Sequence, residues 1–216
     1  MDRARLPGLN PGQRHPDWFQ VYETSVESQL PWFFPDLDPD IRSELEGLKK
    51  PTRRSALDIG CGLGNQAALL AQLGLRVTGS DISIPAILRA RSLHPTPVFV
   101  VDDILRTSLP ERSFDVIVDR GCFHILDPKE YVQYLRGVQA LMRPKARFFL
   151  KVLSTEQGDC DFGPLRFSME RLHDIFTRKF EILKIRRTIY QGSTPHPPKA
   201  WFLAMRSKKE NENDHV

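Results

Sequence analysis

The chain has 216 residues, 40% of them hydrophobic and 27% charged, a balance that fits one folded domain with a sizeable core and excludes a disordered chain. Its net charge of +4 is small and scattered, which argues against a nucleic-acid partner, and no apolar run approaches a membrane span. Cys61, Cys122 and Cys160 lie far apart without a CxxC pair, and no apolar leader opens the sequence, so a reducing, cytoplasmic setting is expected.

Residues 1–15 hold Pro, Gly and Arg without an apolar period and are expected to form a mobile arm. An aromatic-rich segment follows from Trp18 to Leu48, and "KKPTRR" (49–54) reads as a solvated linker. Strands and helices then alternate. "SALDI" (55–59) predicts a buried strand and "NQAALLAQLG" a helix ending at Gly74. "RVTGSD" (76–81) is the second strand, and Ser83 with Pro85 starts the next helix. "VFVV" (98–101) and "FDVIVD" (114–119) are the third and fourth strands. Asp127, Pro128 and Glu130 have capping-box spacing ahead of a helix whose apolar face is Tyr131, Tyr134, Leu135, Val138, Leu141 and Met142.

"RFFLKVL" (147–153) is the fifth strand, Ser168 opens a helix, and "FEILKIRRT" and "AWFLAMRS" are the last two strands. The alternation implies a mostly parallel, doubly wound α/β sheet of seven strands. Only "IYQGSTPHPPK" separates the last two, so they are expected to close the sheet as an antiparallel hairpin. The expected organisation is an arm and aromatic segment (1–54), one domain (55–206) and a charged tail (207–216).

"ALDIGCGLGNQ" (56–66) places Gly60, Gly62 and Gly64 at alternate positions after a strand. A dinucleotide loop would carry its third glycine where Asn65 stands, and a phosphate loop would continue with Lys-Ser/Thr. A carboxylate beside the loop, Asp58, repels a pyrophosphate and attracts an ammonium. S-adenosylmethionine meets these requirements, its ribose diol calling for an acceptor about 20 residues on. Asp81 ends the second strand 21 positions after Gly60.

"LDIGCGLG", "SDIS", "VDDIL" and "SFDVIVDRGCFHIL" resemble successive motifs of the class I S-adenosylmethionine-dependent methyltransferases, over about Ser55 to Arg206. The resemblance implies that Gly60, Cys61, Gly62 and Gly64 bring backbone close to the methionine and ribose, and that Asp58 meets the methionine ammonium. It implies that Asp81 accepts from the ribose hydroxyls and that Ile82 packs on the adenine. Asp103, preferred over Asp102, and Ile104 would hold the adenine edge, with Asp119 beside the methyl group. Where that family often has Pro-Gly-Gly before the fifth strand, this chain has Pro144-Lys145-Ala146.

On the acceptor side, "DRG" and "CFH" within "DRGCFH" (119–124) resemble the thiopurine S-methyltransferases and the tellurite-resistance methyltransferases respectively. Trp18, Tyr22, Trp32 and Phe33 are expected to fold over the sulfonium, where aromatic faces favour a cation, or else to be core packing. Arg120 fits two roles, binding an anionic acceptor or pairing with a neighbouring Asp. His124 fits a general base or a histidine held under the sheet, and Cys122 a buried filler. Asp119, Arg120 and His124 are the candidate catalytic residues. No His/Cys/Asp cluster has ligand spacing, so no metal is expected. The expected reaction is methyl transfer to a small molecule, a thiol or related soft nucleophile; a protein or peptide acceptor and a non-catalytic cofactor-binding module are the alternatives.

Overall fold

A computed structural model describes residues 16–48, 52–157 and 163–208. The expectations for residues 1–15, for 49–51 of the linker, for Cys160 and for the tail beyond Lys208 lie outside these. The strands are β1 (Ser55–Ile59), β2 (Arg76–Asp81), β3 (Val98–Val101), β4 (Phe114–Arg120), β5 (Met142–Ser154), β6 (Arg166–Phe167), β7 (Phe180–Ile189) and β8 (Lys199–Ser207). The helices are α1 (Trp18–Thr24), α2 (Pro39–Glu46), α3 (Asn65–Gln72), α4 (Ile84–Leu93), α5 (Tyr131–Leu141) and α6 (Met169–Phe176).

The sheet order is β3-β2-β1-β4-β5-β8-β7, with the two-residue β6 alongside β5. Strands β1 to β5 run parallel, whereas β8 is antiparallel to both β5 and β7. The closing hairpin is therefore present, and it delivers the 190–198 loop to the end of the sheet where the parallel strands finish. Eight strands stand where seven are expected, because β6 is too short to show a period. β5 also starts earlier, since Pro144-Lys145 forms an irregularity within it rather than a break.

Alternation along the strands divides the core. Leu57, Ile117, Phe148 and Leu150 point toward α5 and α6. Ala56, Val116, Val118 and Phe149 point toward α2, α3 and α4. The helix starts follow local chemistry. Ser83 Oγ accepts from Ala86 N–H at 3.4 Å. The capping box of Asp127 and Glu130 forms over the turn that leads into α5, and Gly74 takes a φ of +87° just past α3. No helix among the described residues is long and apolar enough to cross a membrane.

Lys145 has a φ of +67°, the left-handed region that a Cβ disfavours by about 1–2 kcal/mol. Lys145→Gly is expected to stabilise the fold by about 0.5–1 kcal/mol after the extra entropy of glycine is subtracted. Thermal unfolding should then shift upward by about 1–4 °C; an unchanged midpoint would mean that the turn is unstrained.

Candidate active site

The ends of β1, β2 and β4 converge on the glycine loop, where φ is +65° at Gly60, +53° at Gly62 and +81° at Gly64. Their surroundings differ. A Cβ on Gly62 would lie 2.7 Å from the Tyr22 hydroxyl, and one on Gly60 would lie 2.9 Å from the Cys122 Cβ. Gly62 and Gly60 border a cleft, and Cys61 borders it too. Gly64 departs from expectation: it makes room for the Phe99 ring and for Ala90, so its freedom serves packing of α4 and β3.

Asp58 is buried at the cleft, and its Oδ2 has no hydrogen-bond partner. Burial, reinforced by Asp119 and Asp81 and opposed by Arg120, pushes its pKa up to about 7. An unpartnered buried carboxylate oxygen at a cleft suits a cationic donor such as an ammonium. At the end of β2, Asp81 Oδ2 accepts from Gly62 N–H and Oδ1 from Ser83 N–H, both at 2.9 Å. Each oxygen keeps a second lone pair, which suits a diol. Its pKa is raised by burial. The next residue, Ile82, is 60% exposed, a flat apolar surface at the strand end.

Asp102 and Asp103 separate by bonding. Asp102 is committed to its own loop, accepting from Thr107 Oγ1, Ser108 N–H and Ser108 Oγ. Asp103 Oδ1 accepts from Leu105 N–H at 3.0 Å. Ile104 is buried against α5, where its carbonyl faces Gly137.

The loop after β4 differs most from expectation. Asp119 is fully buried and does not border the cleft; its carboxylate accepts from the N–H groups of Gly121, Cys122 and Phe123 and from the Tyr134 hydroxyl. Burial raises its pKa to about 6. Four donors make Asp119 the organiser of this loop. Arg120 follows the second of its two expected roles and pairs with Asp38 at 2.9 Å. His124 is 5% exposed with Nδ1 unpartnered, and burial lowers its pKa to about 3, so the imidazole is neutral. Burial also pushes the Cys61 and Cys122 thiols up.

The aromatic segment packs directly on the loop. Trp32 meets Trp18 edge-on at 5.7 Å and Tyr22 at 6.4 Å between centroids. Its backbone is tied down from every neighbouring element. Arg89 of α4 donates to the Tyr22 and Ser25 carbonyls at 2.8 Å, and Ser83 Oγ to the Trp18 carbonyl at 3.1 Å. Asn65 of α3 donates to the Phe34 carbonyl and Gln66 to the Asp36 carbonyl. From the hairpin, Ser193 Oγ donates to the Leu30 carbonyl at 2.9 Å. The cleft left between segment and loop is about 60 Å³, room for a few waters.

Beneath Trp32 lies a buried ionic row. Lys151 of β5, wholly inaccessible, places Nζ 2.7 Å from both oxygens of Asp38, 2.6 Å from Asp40 and 2.8 Å from Gln191 Oε1. Arg186 of β7 pairs with Asp40 at 2.7 Å. The residue pattern does not single out Asp38 or Asp40; the visible signal for Lys151 is a lysine inside the apolar run "RFFLKVL". Among the described residues, no three His, Cys, Asp or Glu side chains converge as metal ligands do.

Residues 56–145 match the family described as "Methyltransferase domain". A Schizosaccharomyces pombe protein named as an uncharacterized methyltransferase is 31% identical over 104 residues, 46% of this chain and 72% of that one. Trans-aconitate 2-methyltransferase of Escherichia coli is 33% identical over 155 residues, 64% of this chain and 60% of that one. The Synechocystis 2-methyl-6-phytyl-1,4-hydroquinone methyltransferase is 42% identical over 71 residues, 31% of this chain and only 22% of that one. A solved structure described by the conversion of a disulfide bond into a thioacetal group during echinomycin biosynthesis superposes with a TM-score of 0.74 at 26% identity, over 88% of this chain and 92% of that one.

Proposed function

The chain belongs to the class I S-adenosylmethionine-dependent methyltransferases, and we propose that it methylates a small soft nucleophile, most directly a thiol. Asp58 would hold the cofactor's ammonium, Gly60, Cys61 and Gly62 its methionine end, Asp81 its ribose, and Ile82 and Asp103 its adenine. When bound, S-adenosylmethionine supplies an electrophilic methyl group on a sulfonium. Trp32, Tyr22 and Trp18 would wall that cation with aromatic faces and keep water out. Residues 17–34 would act as a lid over the methionine end of the cofactor, since Tyr22, Leu30, Trp32 and Phe33 wall the cleft beside Asp58 and Gly60.

The observation that carries the soft-nucleophile reading is the state of His124. With its pKa near 3, the imidazole is too weak a base to deprotonate a hydroxyl. Asp119 is engaged by four donors, so it is not free to take a proton. A thiol needs no such help, since its own pKa of about 8.5 supplies thiolate near neutral pH. The likeness of "DRGCFH" to thiopurine and tellurite-resistance methyltransferases supports the same reading, as does the structural relative whose described chemistry is at a disulfide. A second reading, transfer to a carboxylate, takes its support from the trans-aconitate relative.

Thiols, phenols, carboxylic acids and peptides assayed with labelled cofactor test it. Thiols should be the best acceptors, with rates at subsaturating acceptor rising with pH along each thiol's own titration. His124→Gln should cost less than about tenfold in kcat/KM. Transfer to phenols but not thiols, with a loss of several orders of magnitude in His124→Gln, would overturn the proposal.

A further inference from the structure

Resting on that methyl-transfer reading, a second question is which acceptors the cleft admits. Its charged borders are Glu27, Asp58 and Arg120. Arg120 is the cation among them, and each of its three nitrogens already donates a hydrogen bond, three of its five N–H groups in all. Nε–H donates to Asp38 Oδ2 at 2.9 Å, Nη1 to the Trp32 carbonyl at 3.0 Å, and Nη2 to the Gln191 carbonyl. The guanidinium also lies 4.6 Å from the centroid of the Tyr190 ring and 5.9 Å from that of Phe34, and the side chain is 6% exposed. With Nε committed, the side-on fork by which an arginine grips a carboxylate is closed to any ligand.

Asp38 cannot swing away to release it. Lys151 grips both of its oxygens from below, and Gln66 Oε1 accepts its backbone N–H at 2.9 Å. The charges along this row nearly cancel: Arg120, Lys151 and Arg186 face Asp38 and Asp40, and Asp58 lies within the field of Arg120. Glu27 then adds a negative charge at the cleft mouth that nothing in the row offsets. Such a field suits a cationic cofactor and opposes a second anion.

We infer that Asp38 sets acceptor specificity: by occupying and neutralising Arg120, it restricts the site to acceptors with an apolar or aromatic body and no charge beyond that of the nucleophilic atom. The aromatic walls, Trp32, Phe33 and Phe34, match such a body. Asp38 touches no reacting atom; it acts through Arg120.

Two matched pairs test this: benzyl mercaptan against its para-carboxylate, and para-cresol against para-hydroxyphenylacetate. The neutral member of whichever pair is turned over should lead by about 100-fold or more in kcat/KM, mostly through KM. Calorimetric binding in the presence of S-adenosylhomocysteine should give the same order without turnover. Asp38→Asn should narrow the gap by about tenfold, as Nε–H and the charge of Arg120 become available. Arg120→Gln should leave the ratio within about threefold, because no clamp forms in the parent protein. That ratio is insensitive to general damage and carries the test if Asp38→Asn folds poorly. Preference for the carboxylates, a selective loss of them in Arg120→Gln, or binding of neither pair would overturn the inference. Activity on phenols alone, with the neutral phenol leading, would refute the sulfur reading and leave this one standing.

Discussion

Asp58→Asn is expected to lose most of its affinity for S-adenosylmethionine while folding more stably than the parent. Both effects come from one buried oxygen. In the folded chain the Asp58 carboxyl has a pKa of about 7 against an ordinary 3.8, because burial, Asp119 and Asp81 oppose its charge more than Arg120 favours it. A raised carboxyl pKa means that the folded state binds the proton more tightly than the unfolded one. The stability tied to Asp58 is therefore fully present below about pH 4 and is lost as pH rises through 7, by about 2–4 kcal/mol. An amide carries no charge to desolvate, so at pH 8 the variant should unfold several degrees higher.

The same change removes a charge-assisted partner for the ammonium, worth about 1.5–3 kcal/mol, or about 10–100-fold in Kd. Affinity of the parent protein should fall as pH drops below 7 and Asp58 takes up its proton. It should also fall above about 8, where the ligand's own α-amino group loses one. The Asn variant should lack the acidic limb. Calorimetric titration across pH 5.5–8.5, about the range spanned by these two groups, reads both limbs. Unchanged affinity, or a destabilised variant, would show that Asp58 is an ordinary paired structural carboxylate.

Local chemistry made much of the sheet legible. Short apolar runs became strands, Ser83 and Asp127 capped where their spacing said, and the lack of a helix before β8 announced the antiparallel hairpin. The glycine loop and the acidic strand ends were visible for the same reason, since strand and loop backbones are set over a few residues. What each side chain faces is a tertiary matter, and there the pattern carried more than a motif reading uses. Residues 119 and 120 are consecutive on one strand and must point to opposite faces. Asp119 accordingly shares the side of Ile117 and meets Tyr134 of α5, while Arg120 shares the side of Val118 and meets Asp38 before α2. Two neighbours in β4 could not both serve one pocket. The aromatic segment was legible as composition only. Its docking depends on Asn65, Gln66 and Arg89, whose partners lie thirty or more residues away and have no local signature.

Lys151→Met is expected to be the most destabilising change in the protein outside its apolar core. Methionine keeps nearly the length and volume of the lysine stem, so the space opposite Phe202 in the sheet register stays filled and only the charge is lost. Asp38 and Asp40 then keep Arg120 and Arg186 as partners but lose the cation between them. Breaking a buried ion pair from one side typically costs about 3–5 kcal/mol, because the remaining charge is left desolvated. The two outer arginines should hold the loss near the lower end, about 3 kcal/mol, or roughly 6–12 °C in Tm for a chain of this size. The loss should be cooperative. Asp38→Asn alone strips Lys151 and Arg120 of a shared partner, yet in the double variant the Lys151–Asp38 pair is removed from both sides and neither member is left charged without the other. The double variant should therefore fall short of the summed single losses by about 2 kcal/mol in urea unfolding. Strict additivity would mean that Lys151 and Asp38 are screened from each other by water. A functional consequence follows from position: Asp38 links the ionic row to Arg120, which holds the Trp32 carbonyl. Freed from the sheet, residues 30–38 should exchange their amide hydrogens faster, and KM for S-adenosylmethionine should rise while kcat at saturation changes less.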